Sequence, residues 1–218
     1  MTYNLQIIRK PVKNLRIRVV NAQTVQAVAP KLMSRMQIEQ FLDKKKAWIH
    51  KQIEKHIQAS TLIQLDHNQL LLHGEAYTVL CLEWQWNAYT IDHKRKFVWR
   101  GHDLTDTHKQ THRYKTYAKK ILSQRLDYLS QQHNISYDKC FIRDQKTKRW
   151  SCSSKGNIGL NRRLVKMPER VMDYIINHEL AHRLHMDHSQ KFRDACTALF
   201  PKTKEARKRL KEYGRALH

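Results

Sequence analysis

The pentapeptide His178-Glu179-Leu180-Ala181-His182 constrains this chain more than any other feature, because its two histidines can act together only on a helix. Residues four apart on a helix lie on one face, so both imidazoles point the same way. Apolar residues at helical spacing run alongside them: Met172, Ile176, Leu180 and Leu184. Two imidazoles on one face suit a zinc ion, and Glu179 beside them is placed to take a proton from water.

A third histidine extends the motif. His188 lies six residues after His182, and the spacing predicts that the motif helix ends near His185. We expect Asp187 to cap the next helix, with Gln190 at its third position and His188 in its first turn. Three histidine ligands leave the fourth position of one zinc ion open, as in catalytic sites. His185 is an alternative third ligand, although it lies only three residues from His182 on the same helix.

The charge of the chain narrows the classes of partner. Lysine and arginine number 42 against 19 aspartate and glutamate residues, which gives a formal net charge of +23. Such an excess favours polyanions as neighbours, whether nucleic acid, nucleotides or acidic surfaces. A hydrophobic content of 40% is enough for a core, which excludes a disordered polycation. The five glycines form neither of the glycine-rich phosphate-binding motifs.

The sequence also bears on the compartment in which the protein acts. No apolar run reaches the ~18 residues of a membrane helix, and the opening MTYNLQIIRK lacks the layout of a signal peptide. We therefore predict a cytoplasmic protein without a membrane segment. The four cysteines form no CxxC pair and are interpreted as buried or half-buried thiols in a reducing compartment: Cys81, Cys140, Cys152 and Cys196.

Hydrophobic periodicity predicts an α+β fold that begins with a small β-rich domain, residues 1–103, containing one helix. Its strand patterns lie at Leu15 to Val19, at Val25 to Ala29 and, as two hairpins, between residues 68 and 100. The helix opens with a capping box of Ser34 and Gln37 and carries an apolar stripe as far as Ile53, interrupted by three lysines.

Residues 104–218 form the second predicted region, which contains the motif helix. A polar stretch ahead of a long helix sets the boundary at 103/104. The predicted elements are, in order, a helix from about His108 to Gln132, strands at Cys140 to Ile142 and Trp150 to Leu160, the motif helix from Pro168, a helix from about His188 to Leu199, and a basic helical tail. The second strand segment folds back at Ser154 to Asn157.

Several segments of this region together match one family. They are Lys146 to Ser153, Asn157 to Asn161, Pro168 to Tyr174, the HExxH pentapeptide, His188 to Phe192 and the stretch from Pro201 onward. With them, the chain from Ile142 to Lys211 resembles the YgjP-like metallopeptidases, relatives of the SprT and WLM zinc proteases. The N-terminal half is similar to the family as well. The resemblance implies a zincin-like metallohydrolase minidomain in residues 104–218, one zinc ion, and peptide bonds as the substrate.

The resemblance also suggests roles for residues near the motif. Glu179 would act as general base and then pass the proton to the leaving group. The cleft would be lined by one strand, to whose sheet edge a peptide adds as a further strand: Asn157, Ile158, Gly159, Leu160 and Asn161. Tyr174 and Arg143 are the candidates for stabilising the tetrahedral oxyanion.

The chain departs from the family at one glycine. The family has Trp-Gly-Ser-Cys, whereas here Trp150 directly precedes Ser151 and Cys152. Either one residue is deleted, or Trp150 replaces the glycine and Arg149 takes the place of the tryptophan. The departure concerns the strand beside the site and leaves the metal ligands untouched.

Two alternatives to a plain peptidase stay open. The first keeps the metal but hydrolyses nucleoside triphosphates, an activity suggested within the family. The cations that would clamp a triphosphate cluster in sequence: Arg143, Lys146, Lys148, Arg149, Arg162, Arg163 and Lys166. The second is a protease recruited to nucleic acid through nonspecific, salt-dependent contacts. A solvated basic face is the simpler interpretation of the same residues.

Two further groups of residues are interpreted as structural. His108 and His112 lie four apart on the predicted long helix, but no acidic residue stands between them, so we expect an exposed pair. Trp84, Trp86 and Trp99 lie on predicted strands and are assigned to the core and sheet faces rather than to a base-stacking surface.

Overall fold

The computed structural model describes residues 3–81, 89–100, 107–144 and 150–216, without the side chains of residues 81, 89, 99–100 and 107–114. These residues form a mixed α+β fold of six helices and three small sheets. The chain divides into two compact units, one of residues 1–64 with 211–218 and the other of residues 65–210. Across the part of the chain that is described, no helix is both long and apolar enough to cross a membrane.

Some sequence predictions fall outside this description. Trp84 and Trp86 are among the undescribed residues, as is the segment 145–149 next to the departure at Trp150. For Trp99, His108 and His112, only the backbone is described.

The first unit is built on a three-stranded sheet. Its elements are β1 (Asn4–Lys10), β2 (Arg16–Asn21), β3 (Thr24–Pro30), α1 (Arg35–Lys44) and α2 (Lys46–Ser60). The order is β1-β3-β2, in which β1 is parallel and β2 antiparallel to the central β3. Alternate residues of β3, namely Val25, Ala27 and Ala29, are buried in one core with residues of the two helices. Strand β1 was not predicted from the sequence.

The single helix predicted for this unit is wrong, because the structure has two helices. The break lies at Lys45, whose φ of −102° and ψ of 4° interrupt the helix while its N–H still reaches the carbonyls of Phe41 and Leu42. The apolar stripe continues across the break because Ile38 and Ile49 are both buried. The three lysines at 44–46 supply no apolar side chain to hold an unbroken turn on the core.

The second unit begins with a four-stranded sheet of order β4-β5-β7-β6. Its strands are β4 (Gln69–Leu72), β5 (Glu75–Cys81), β6 (Tyr89–Asp92) and β7 (Phe97–Arg100). The turn between β4 and β5 bonds to a later part of the unit, because His73 N donates to Val165 O at 2.7 Å and Gly74 N to Lys166 O at 3.0 Å. This sheet therefore belongs with the motif helix, and the chain passes from the first unit to the second between residues 64 and 65, whereas the sequence predicts a boundary at 103/104.

The rest of the second unit carries the motif. Its elements are α3 (Thr107–His133), β8 (Cys140–Arg143), β9 (Trp150–Cys152), β10 (Ile158–Asn161), a 3-10 helix (Arg162–Lys166), α4 (Glu169–Leu184), α5 (Gln190–Leu199) and α6 (Thr203–Ala216), which runs into the first unit. The sheet order is β8-β10-β9. Helix α3 is joined to α4 by a bidentate ion pair from Arg125 to Asp173, at 2.6 and 2.7 Å.

Candidate metal centre

Helix α4 brings the first two histidines together. Pro168 stands at its N-cap in an extended conformation, and the helix ends at His185, where φ is −141°. Between these ends the helix is buried on several sides, which holds it in place. His178 and His182 lie one turn apart with ring centroids separated by 5.1 Å.

The third histidine is held by the start of α5. Ser189 caps this helix, because its hydroxyl accepts from Phe192 N at 3.4 Å. The prediction that Asp187 is the cap is therefore wrong. Asp187 Oδ1 instead accepts from Ser189 N at 3.3 Å and closes the preceding turn. His188 consequently lies just ahead of the cap and not in the first turn of the helix.

The three imidazoles converge. The ring of His188 lies 5.7 Å from that of His178 and 4.9 Å from that of His182. One ligand nitrogen from each of the three lies within 4.8 Å of the others, and no other group of this kind was found in the described ranges. His185 contributes its main-chain carbonyl, 3.2 Å from His182 Nδ1. A proton on that Nδ1 leaves the Nε2 lone pair of His182 for an ion.

Two side chains of α5 pack on the histidines and were not predicted to do so. The Phe192 ring stacks on His182 at 4.3 Å and meets the edge of His178 at 5.0 Å. Cys196 is buried, with its Sγ 3.9 Å from His178 Nδ1. The signal was available in the sequence, because Phe192 and Cys196 are four residues apart and therefore share a helix face.

Glu179 is buried among these groups. Its side chain is 1% exposed, and Oε2 has no hydrogen-bond partner. Burial raises the pKa of Glu179 to about 8. Burial, followed by the neighbouring His182 and His188, lowers the pKa of His178 to about 4. The neutral imidazoles can ligate a divalent metal. A water molecule on that metal would supply the hydrogen-bond donor that the unpartnered oxygen of Glu179 lacks.

The strand predicted to receive a peptide is the central strand of its sheet. Ile158 to Asn161 pair with β8 on one side, and Ile158 to Leu160 pair with β9 on the other. The expectation of a free sheet edge at residues 157–161 is therefore wrong, because both edges of β10 are occupied. Strand β9, which packs against α4, is the end strand of this sheet in the described part of the chain.

The two candidates for oxyanion stabilisation differ in their placement. The Tyr174 ring lies 6.0 Å from that of His178, and its side chain is 8% exposed. Burial raises the pKa of Tyr174, which keeps the phenol protonated at neutral pH. Arg143 instead packs over Gly159 in the sheet, since a Cβ at Gly159 would lie 3.4 Å from Arg143 Nε.

The described cysteines agree with the prediction of free thiols. Cys140 and Cys152 are half-buried and Cys196 is buried, and none of them forms a disulfide. Burial, and then the charge of Glu179, raise the pKa of Cys152. Burial raises the pKa of Cys140 and Cys196 as well. These thiols are therefore protonated at neutral pH in the metal-free protein.

Comparison with known proteins identifies the family. The family model "YgjP-like, metallopeptidase domain" matches residues 13–213, almost the entire chain. This chain therefore belongs to the YgjP-like metallopeptidase family. The crystal structure of the metallopeptidase zymogen of Pyrococcus abyssi abylysin is 26% identical over 41% of this chain and 91% of that chain, with a TM-score of 0.38. No curated protein matches significantly.

Proposed function

We propose that this chain is a zinc-dependent peptidase in which His178, His182 and His188 hold one ion and Glu179 is the general base. The observation that carries the proposal is the convergence of three imidazoles beside a buried carboxylate with one oxygen unpartnered. A zinc ion bound there would act as a Lewis acid, acidifying water and polarising the scissile carbonyl.

The residues of the chain would share the remaining work. Glu179 takes the proton of the attacking water and delivers it to the leaving nitrogen. Tyr174, whose ring lies against His178, is the group that we assign to the oxyanion.

We propose that the substrate pairs with β9 instead of β10. Strand β9 packs against α4 and is the end strand of the described sheet β8-β10-β9. An extended peptide added there would run beside the motif helix and present its main chain by strand addition.

The general base is tested by Glu179→Gln, which retains the shape of the side chain but cannot accept a proton. We expect hydrolysis of a denatured protein substrate to fall by about 10²- to 10⁴-fold, while the zinc content stays unchanged. Glu169→Gln, an exposed position on the same helix, is the matched control and should retain activity. Pyrophosphate release from nucleoside triphosphates without peptide hydrolysis would overturn the peptidase in favour of the nucleotide alternative.

The third ligand is tested by His188→Ala beside His185→Ala. Because a metal site loses much of its affinity with any one ligand, we expect the first variant to bind zinc at least about 10- to 100-fold more weakly. The second variant should keep its affinity. Competition with a chromogenic chelator measures both. If His185→Ala loses the metal while His188→Ala retains it, the ligand assignment is wrong.

A further inference from the structure

The second unit contains a cavity of about 510 Å³ that is lined by residues of the four-stranded sheet and of helices α3 and α4. The sheet and its turns contribute His73, Tyr77 and His93, and Met172 is among the side chains that α4 contributes. His178 lies six residues beyond Met172 and is therefore turned about 120° away from it around the axis of α4. The three histidines of the metal centre are not among the described lining residues, so the cavity is a separate place in the fold.

Two histidines from different turns approach each other in this cavity. His73 lies between β4 and β5, and His93 lies between β6 and β7. Their ring centroids are 5.5 Å apart. In the metal centre the corresponding distances between imidazoles run from 4.9 to 5.7 Å. The pair therefore has the spacing of imidazoles that can share one ion.

A tyrosine holds each of the two rings through one of its nitrogens. His73 Nε2 lies 2.7 Å from the hydroxyl oxygen of Tyr117, and His93 Nδ1 lies 3.1 Å from that of Tyr77. When these ring nitrogens carry the proton, they donate to the hydroxyl oxygens. The lone pairs of His73 Nδ1 and His93 Nε2 are then left for an ion, which is the arrangement that orients ligating histidines in metal sites.

The surroundings of His73 favour a neutral and fixed ligand. The turn that carries it is tied to the 3-10 helix by hydrogen bonds from His73 N and Gly74 N. Burial, followed by the charge of His93, lowers the pKa of His73, so its imidazole is neutral near pH 7 and can bind a metal. Arg125 also lines the cavity, but its bidentate pair with Asp173 offsets the repulsion of a cation.

We propose that His73 and His93 form a second metal site, for a divalent transition-metal ion of the kind that imidazole prefers, such as zinc. No third histidine, cysteine or carboxylate joins the pair in the part of the chain that is described, so water in the cavity would complete the coordination. Because two imidazoles hold an ion less tightly than three, this site fills at higher zinc concentrations than the metal centre. An ion bound there would tie two turns of the four-stranded sheet together. The site does not depend on the proposed peptidase.

The proposal is tested by calorimetric titration of the full chain with zinc beyond the first equivalent. We expect a second, weaker phase of one further ion, and His93→Gln should weaken this phase at least about tenfold. His67→Gln removes another exposed histidine of the same unit, just ahead of β4, and should leave the phase unchanged. Absence of the phase in the wild type, or equal weakening by both variants, would overturn the proposal.

His178→Ala separates the second ion from the metal centre. This variant should lose the tight phase of zinc binding and keep the weak one. Loss of both phases together would place the second ion at the metal centre and overturn the proposal.

The hydroxyl of Tyr77 is tested by Tyr77→Phe, which should weaken the second phase by about 10- to 100-fold and leave the tight phase unchanged. A weak phase that this variant leaves unaltered would contradict the arrangement. NMR of the wild type gives a measurement that needs no variant to fold. The imidazole signals of His73 and His93 must change between the first and the second equivalent of zinc, and constant signals would overturn the site.

Discussion

The protonation state of Glu179 is expected to depend on whether a metal ion is bound. Water reaches almost none of its side chain, and burial raises its pKa to about 8. Without a metal the carboxyl is therefore largely protonated at neutral pH. A cation held by the three histidines would favour the ionised form, because an opposite charge lowers a carboxyl pKa. Metal binding and ionisation of this residue are thus expected to be coupled.

The buried carboxyl of Glu179 should make the metal-free protein less stable as pH rises from about 6.5 to 8, whereas below about 6.5 the lowered pKa values of His178 and His182 act in the opposite direction. Within that window folded Glu179 keeps a proton that the unfolded chain loses near its ordinary pKa, so the unfolded state binds fewer protons. Glu179→Gln should remove this part of the slope. The measurement is the free energy of unfolding by urea at several pH values in the presence of a chelator. Identical slopes for variant and wild type would show that the carboxyl is not protonated in the fold.

Gly74 is a residue whose replacement should destabilise the second unit. Its φ is +82°, and a Cβ would lie 2.6 Å from Pro168 Cγ and 3.0 Å from Pro168 N. We expect Gly74→Ala to cost about 1–3 kcal/mol or more, from backbone strain and the clash together. Thermal unfolding would measure this, with the exposed neighbour Glu75→Ala as control. A variant as stable as the wild type would mean that the turn adjusts freely.

At the scale of elements, the short helix α5 fixes both His188 and Phe192. Its cap, Ser189, lies between them in sequence, and the Phe192 ring stacks on His182. Loss of the cap should therefore loosen one ligand and the ring that positions another.

Ser189→Ala should lower stability by about 1 kcal/mol and also weaken zinc binding. Ser34→Ala removes the corresponding cap from α1 in the other unit, where Ser34 accepts from Gln37 N at 3.2 Å. The control should lose similar stability without any change in zinc affinity. Stability is followed by urea unfolding and affinity by competition with a chelator. Equal metal affinity in both variants would contradict a link between the cap and the site.

The helices also show which structural features a sequence pattern can predict. Helix α4 was predictable, because His178, His182 and the apolar residues beside them repeat with the period of a helix. The break at Lys45 was not, because the apolar stripe runs across it and the backbone change has no marker such as proline. The cap at Ser189 was missed because Asp187 and Ser189 both have side chains that cap helices, and only the backbone decides between them.

Strand pairing was the least predictable part of the fold. Periodicity identified β10, but its central position depends on β8 and β9, and register with distant strands leaves no local signal. Strand β1 was missed for the same reason, because it pairs in parallel with β3 and the chain must cross over between them. The expected free sheet edge at residues 157–161 failed at this step, although residues 158–161 do lie on a strand.

For the whole molecule, metal binding should stabilise the fold. An ion held by residues of α4 and of the segment before α5 binds only when these are in place, so it shifts the folding equilibrium toward the folded state. At a free zinc concentration about 100 times the Kd, the gain is about 2.7 kcal/mol. Thermal unfolding with zinc and with chelator measures it. His178→Ala should abolish the difference, and a shift that persists in this variant would place the stabilising ion elsewhere.

The net charge of +23 acts on the same scale. It raises the local concentration of anions around the whole surface, independently of any one site.

The unequal burial of the three histidines affects how a metal ion would enter and leave the site. His182 is 8% exposed and lies within a packed helix, whereas His188 is exposed and precedes a helix in an irregular segment. An arriving cation can therefore meet the outer imidazole first, and a departing one can release it last without any unfolding of α4. The ion could then be loaded after the chain has folded, so the resident metal need not be the one that was present during folding.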